Sequence, residues 1–248
     1  MRYAISLDDL VFQYNAGSRP LQFNLAFPEG MITAVVGVSG SGKSTLLQLI
    51  NGMVRPDRGR VSVAGEPIDY ARLQALRRNI GYMAQGPGLF PHLTIEKNIA
   101  LASRIRGEVV EQERITQLME GVGLPASYRQ RHPYQLSGGE QQRAAICMAL
   151  YNRPPILLMD ESLGSLDAIT RAEIQEQLAT LQQRERCTMV LVTHDLYEAL
   201  RLGDFLLVLH QGRVEAFGTP QEVKSSPSEL VQKLFAYSTN IRTQSSGL

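Results

Sequence analysis

Apolar residues fall at every second position along Leu21, Phe23, Leu25 and Phe27, with Gln22, Asn24 and Ala26 between them. A period of two predicts a strand with one face on a core and the other toward water. After Gly30, the stretch Met31 to Val36 is a continuous β-rich apolar run, which predicts a strand buried on both faces. Upstream, Ala4–Leu7 and Leu10–Phe12 read as strand pieces flanking the acidic pair Asp8 and Asp9. Glycine-rich residues follow Val36, and a helix is predicted from Lys43 to about Asn51, stopped by Gly52. From about Ile95 to Met148 the spacing turns helical, through Ile95, Ile99, Ile105, Ile115, Leu118, Met119 and Val122. Short apolar runs then return at Ile156–Met159, Thr188–Val192 and Phe205–Leu209, separated by helical stretches. This alternation predicts an α/β fold, a largely parallel sheet covered by helices, with the helical middle inserted into it. Leu230, Val231, Leu234 and Phe235 again have helical spacing, and the segment from Ser238 onward reads as a frayed tail.

Composition narrows the classes. Of 248 residues, 44% are hydrophobic and 20% charged, enough apolar side chain to build a core and too much for general disorder. Lys plus Arg is 25 and Asp plus Glu is 24, a net charge of +1. That argues against a broad basic face, so no nucleic-acid partner is expected. Cys147 and Cys187 match neither a zinc spacing nor a disulfide framework and are expected as reduced thiols in a cytosolic protein. No apolar run reaches the roughly 18 residues of a membrane span, and Asp8 and Asp9 stand where a signal peptide needs an apolar stretch. The expectation is a chain that neither crosses a membrane nor is secreted by itself. Docking on a membrane protein stays open.

The candidate chemistry begins at Gly37-Val38-Ser39-Gly40-Ser41-Gly42-Lys43-Ser44, which fits G-x-x-x-x-G-K-[ST] at every fixed position. Glycines let successive N–H groups turn inward around an anion, and the helix starting near Lys43 adds its positive end. Lys43 would reach the β- and γ-phosphates of a nucleotide, and the Ser44 hydroxyl would hold Mg²⁺. The run Ile156 to Asp160-Glu161 is an apolar strand ending in two acids, placed at the carboxyl edge of a parallel sheet. There Asp160 would orient Mg²⁺ through its water shell and Glu161 would polarise an attacking water. A solvated strand end is the plain alternative. His194, after the strand Val190–Val192, could touch the γ-phosphate, or be structural. Asp195 and Glu198 make an Asp-x-x-Glu capping box that needs no function. In Leu136-Ser137-Gly138-Gly139-Glu140-Gln141-Gln142-Arg143, Ser137 and Glu140 form a capping box opening a helix to about Tyr151. Gly138 and Gly139 are either two flexible residues at a helix start or a second anion site, in which case two chains could share a nucleotide.

Over nearly its whole length the chain resembles the ATP-binding cassette (ABC) ATPases. The resemblance rests on a Walker A stretch from Gly37 to Thr45, a signature from Leu136 to Arg143 and a Walker B strand ending at Asp160-Glu161. Gln85 matches the Q-loop glutamine, Ser165-Leu166-Asp167 the D-loop and His194 the switch histidine; Tyr14 lies where the family stacks an aromatic on adenine. It implies a P-loop NTPase fold with a mostly parallel core, an N-terminal antiparallel β subdomain and an inserted helical subdomain. One ABC ATPase domain over 1–240 is expected, with 1–88 and 154–218 as nucleotide-binding core and 89–153 as helical signature subdomain. The C-terminal helical extension would be 219–240, and 241–248 a flexible tail. By the resemblance Lys43, Gln85, Glu161 and His194 are catalytic, and Ser44, Gln85 and Asp160 serve Mg²⁺. Tyr14 and Gly37, Val38, Ser39, Gly40, Ser41, Gly42, Lys43, Ser44 and Thr45 bind ATP. Ser137, Gly138, Gly139 and Glu140 meet the ATP of a second copy, and Asp167 belongs to the D-loop.

The implied partners are a second copy in a head-to-tail dimer, integral membrane permease subunits and a solute-binding protein, at the cytoplasmic face of the inner membrane. Leu76–Tyr82, Gly88–Ile95 and Leu166–Arg171 resemble importer ATPases for glycine betaine, choline and carnitine. Many of those carry a C-terminal regulatory domain, and none is expected within the short region after Gly218. The family usually has Pro after the catalytic Glu, where this chain has Ser162; slower or less coupled hydrolysis is expected. Leu89 and Phe90 either receive a helix of the membrane subunit or pack into the helical subdomain. The alternative function is a soluble ABC ATPase on a non-transport machine; a degenerate, signalling cassette is a third reading.

Overall fold

The computed structural model describes residues 2–164 and 166–236. In chain order the elements are β1 (Tyr3–Phe12), β2 (Leu21–Pro28), β3 (Ile32–Val36), α1 (Lys43–Ile50), β4 (Arg58–Val63), β5 (Glu66–Pro67), α2 (Leu73–Arg78) and β6 (Ile80–Met83). They continue with α3 (Ile95–Ile99), α4 (Leu101–Ile105), α5 (Gln112–Gly121), α6 (Gly138–Leu150), β7 (Ile156–Asp160), α7 (Ala168–Glu185) and β8 (Thr188–Val192). The last are α8 (Leu196–Leu202), β9 (Phe205–His210), β10 (Arg213–Gly218) and α9 (Pro220–Lys224). Residues 229–236 are helical as their spacing predicted, with Val231 buried; the expected tail lies outside the described residues.

The chain divides into two compact units, Met1–Leu76 with Val190–Leu248, and Arg77–Met189. In the first, the strand order is β5-β4-β1-β2-β10-β9-β3-β8. β1 pairs antiparallel with β2 and β4, and β9 antiparallel with β10, whereas β3 runs parallel to β9. β2 buries Leu21, Phe23, Leu25 and Phe27 and exposes Gln22 and Asn24, as its alternation predicted, and every residue of β3 is buried. The first strand pieces are one strand: the ladder shifts register at Asp8 and Asp9, and Asp9 has φ 44°. This is a β-bulge, whose extra residue puts both acids outward without ending the strand. Ala34, Val36, Leu206 and Val208 form a core with Leu196, Ala199, Val223 and Val231.

The second unit holds β6 and β7, which pair in parallel with Ile80 opposite Ile156 and Met83 opposite Met159. Its helices bury Ile95, Ile99, Ile115, Leu118, Met119 and Val122. Ile105 departs from that stripe; it ends α4 and is 77% exposed. A buried ion pair ties this unit across 71 residues: Arg114 donates from Nη1 and Nη2 to the two Glu185 oxygens at 2.7 Å, and Nη2 also donates to Leu150 O at 2.9 Å. Removing one member of such a pair costs about 3–5 kcal/mol, because it strands a buried charge.

Candidate functional site

The first unit carries the cradle. The chain leaves β3 at Val36, loops through Gly37–Gly42 and enters α1 at Lys43. Gly40 has φ 76° and Gly42 φ 104°, values that a side chain rarely permits. Gly37 cannot carry a side chain either: a Cβ there would lie 2.3 Å from Leu209 O and 2.6 Å from Ser41 Oγ. The loop is braced from behind, since Gly212 N–H donates to Ser41 O at 3.1 Å and Gln22 N–H to Gly212 O at 2.7 Å. Lys43 is buried and folds back, its Nζ donating to Gly37 O at 2.9 Å and Val38 O at 3.3 Å. Ser41 Oγ is buried within the loop without a hydrogen-bond partner. Val38, Ser39 and Ser44 face solvent. Tyr14 is 60% exposed, rests edge-on against Phe12 and reaches α1, its hydroxyl donating to Gln48 Oε1 at 2.9 Å and lying 3.3 Å from Thr45 Oγ1.

His194 is exposed just past β8 in the same unit. Thr193 N–H donates to Val35 O at 3.0 Å, so β3 and β8 leave the sheet side by side, one into the cradle and the other into His194. Asp195 caps α8 by accepting from Tyr197 N–H and Glu198 N–H. Of the predicted box the structure records the Asp195 half; Asp195 N–H donates to Thr193 Oγ1 at 3.0 Å, and Thr193 Oγ1 donates to the buried Glu198 carboxylate at 2.5 Å. The segment bearing His194 is therefore pinned on both sides.

The second unit gathers the remaining candidates. The β6–β7 register puts Gln85, two residues beyond β6, at the edge where β7 ends in Asp160 and Glu161. Gln85 is exposed, and Asp160 and Glu161 are half-buried. Burial, and after it the negative charge of Asp160, raises the Tyr82 phenol above its ordinary pKa. Ser137 caps α6, accepting from Glu140 N–H at 3.4 Å and donating from Oγ to Glu140 Oε2 at 2.9 Å, while Ser137 N–H donates to the same oxygen at 2.7 Å. The Ser137 N–H hydrogen bond is the main reason Glu140 sits below the usual carboxylate range. Asp167 caps α7 through Ile169 N–H and Thr170 N–H, and its carboxyl is likewise held low, chiefly by the Thr170 N–H bond. A cleft of about 580 Å³ is lined by Ser137, Gly138, Gly139, Glu140, Asp167 and Thr170, so signature and D-loop share one wall.

Several side-chain contacts that shape these half-sites were not predicted from the sequence, although Arg143 and Arg171 lie in stretches singled out there. Arg171 Nη2 donates to Leu166 O at 2.7 Å and Gly164 O at 3.3 Å, bracing the loop after Glu161. Arg143 bonds Glu173 Oε2 at 2.8 Å and also Gln177, fixing α6 to α7. Asn98 is fully buried; its Nδ2 donates to the Phe90, Leu93 and Thr94 carbonyls and its Oδ1 accepts from Phe90 N–H at 2.7 Å. It thereby holds Phe90 at the surface, 45% exposed. Polar ties over such separations have no periodicity to betray them.

Parallel strand, glycine loop and helix define a P-loop nucleoside triphosphatase fold. The sequence profile of the ABC transporter family matches residues 21–164. The glycine betaine uptake system ATP-binding protein YehX of Escherichia coli is 41% identical over 87% of this chain and 71% of its own length. The glycine betaine/carnitine/choline transport ATP-binding protein OpuCA of Bacillus subtilis is 38% identical over 90% of this chain and 60% of its own. The sulfate/thiosulfate import ATP-binding protein CysA of Mycobacterium tuberculosis is 40% identical over 92% and 65%. The chain thus spans less than two thirds of OpuCA and CysA. Among solved structures, cbiO1 from Clostridium perfringens, part of the ABC transporter complex cbiONQ, superposes with a TM-score of 0.84 at 28% identity over 99% of this chain and all of that one. The dimeric post-hydrolysis cassette MJ0796 bound to ADP and Pi gives 0.76 at 32% identity, over 87% and 98%. The chain belongs to the ABC transporter family, and it is an ABC ATPase. Among the described residues no helix is long and apolar enough to cross a membrane.

Proposed function

We propose that the chain hydrolyses ATP as the motor subunit of an importer, working as a head-to-tail pair beneath a membrane permease. The observation that carries this reading is the cradle: a glycine loop bent at Gly40 and Gly42, with an orphaned Ser41 hydroxyl and a buried Lys43 ammonium held on the loop's own carbonyls. Those features suit a polyphosphate, which would draw Lys43 away from Gly37 O and Val38 O and accept from the inward N–H groups. Tyr14, presented over α1 by Gln48, is placed to stack on the base. Ser44 of the first unit offers a hydroxyl oxygen, and Gln85 and Asp160 of the second offer amide and carboxylate oxygens; each is a hard donor of the kind Mg²⁺ takes, and Mg²⁺ keeps several waters. Mg²⁺ supplies neutralisation of the phosphate charge. Glu161 polarises the attacking water and His194 steadies the γ-phosphate, so this chain contributes mostly positioning and electrostatics.

The cleft at Ser137, Gly138, Gly139 and Asp167 is the complementary half, which would close on the ATP of a second copy; the dimeric state of MJ0796 supports this. The relatives' names favour a quaternary amine such as glycine betaine as cargo. CysA matches as well on a chemically unlike solute, so cargo selection belongs to the membrane and solute-binding partners. The subunit would sit peripherally on the cytoplasmic face, with exposed Phe90 toward the permease. The test is a pull-down from detergent-solubilised membranes with tagged Glu161→Gln protein and ATP, which should hold the dimer closed. Recovery of a polytopic membrane protein is expected. Recovery of soluble proteins only, with the trapped dimer present, would transfer the chain to a soluble ABC machine.

A further inference from the structure

Beside Glu161 lie two features that the proposed reaction leaves unused. Glu161 has φ 45°, a left-handed conformation uncommon for a residue with a side chain. Ser162 is 1% exposed, and its Oγ has no hydrogen-bond partner. Each is a cost to the fold, one of backbone strain and one of a desolvated hydroxyl. They occupy adjacent residues of one turn, closed by a long bond of 3.4 Å from Gly164 N–H to Glu161 O. Both ends of that turn are anchored: β7 fixes Asp160, and Arg171 holds the Gly164 and Leu166 carbonyls.

We infer that Ser162 is a positioning residue for Glu161. The turn has a second conformation in which the Glu161 backbone returns to the extended region and the Ser162 hydroxyl gains a partner. Hydrolysis passes through that conformation, which aims the Glu161 carboxylate at water. One rotation relieves both costs, which is why strain and orphaned hydroxyl occur together. The inference rests on the reading of Glu161 as the group that polarises the attacking water. It also makes the two obvious substitutions act differently. Alanine removes the hydroxyl and leaves Glu161 its left-handed option. Proline steers the residue before it toward extended backbone and fits the second position of a turn, so it favours the productive conformation without the hydroxyl.

The test is steady-state ATP hydrolysis by the full chain, with thermal melting to confirm folding. Ser162→Ala is expected to lower kcat about three- to tenfold, the worth of one hydrogen bond, at unchanged KM for ATP. Ser162→Pro is expected to turn over faster than Ser162→Ala. Parental kcat in Ser162→Ala, or a proline variant no faster than the alanine variant, overturns the inference. Glu161→Gln separates the two layers: if it hydrolyses ATP like the parent, the reading of Glu161 fails. If it is inactive while Ser162→Ala is parental, only the role of Ser162 falls.

Discussion

Two helices of this chain begin in glycine-bearing turns, and their N-termini are finished in opposite ways. α1 starts after Gly42, a left-handed residue with no side chain to cap it, and has no acid in its first turn. α6 starts after Ser137, which caps it reciprocally with Glu140, so a carboxylate already sits on its positive end. A helix leaves its first N–H groups unsatisfied unless a side chain, water or ligand takes them. In α6 the sequence supplies that partner. In α1 it supplies glycine, lysine and no acid, which keeps the positive end available to an anion from outside. The first N-terminus has no side-chain cap and no acid of its own. The second is stable by itself and presents Gly138 and Gly139 on a cleft wall.

This contrast can be broken at four points. Lys43→Ala should have the largest effect, lowering ATP turnover by roughly 10²–10³-fold, the scale of losing a preorganised charge-stabilising group; a steady-state assay reads it. Gly37→Ala should damage the fold of the cradle, because its Cβ would meet Leu209 O at 2.3 Å. A loss of about 1–3 kcal/mol is expected, seen as a lower urea midpoint. Ser137→Ala removes the α6 cap and should cost about 1 kcal/mol by the same measurement, even in the absence of nucleotide.

The smallest effect is electrostatic. The folded pKa of Glu140 lies below its unfolded value, so the stability from its charge is complete above the ordinary carboxylate range. It is lost as pH falls through the depressed folded value. Glu140→Gln keeps the capping geometry without the charge. Its urea midpoint should trail the parent slightly at pH 7, by some tenths of a kcal/mol, and the gap should close as pH is lowered through that range.

What the sequence disclosed follows the same division between local and distant causes. β2 and β3 were legible because burial of one face or two imposes its own period, and β8 matches its apolar run from Thr188 to Val192. The start of α6 was legible because a capping box is local chemistry. β1 was misread as two pieces, since a bulge and a break look alike until the partner strand is seen. The helical stripe failed at Ile105, because a short helix end can turn its apolar residue to solvent. In the half-sites, the glycine loop announced itself. The bracing by Arg171, Arg143 and Asn98 did not, and neither did the left-handed Glu161 or the buried Ser162. Each depends on what the fold brings beside it.

The central claim is that the cradle of one copy works with the signature helix of another, and mixing two inactive variants tests it most directly. Lys43→Ala destroys the cradle and leaves the signature. Ser137→Arg blocks the signature and leaves the cradle. In a head-to-tail pair of one each, the Ser137→Arg copy's cradle faces the Lys43→Ala copy's signature, and one whole site is restored. Each variant alone is expected to be inactive, and the mixture to hydrolyse ATP. A mixture as inactive as its components, with both variants folded and mixed pairs shown to form, would contradict that claim.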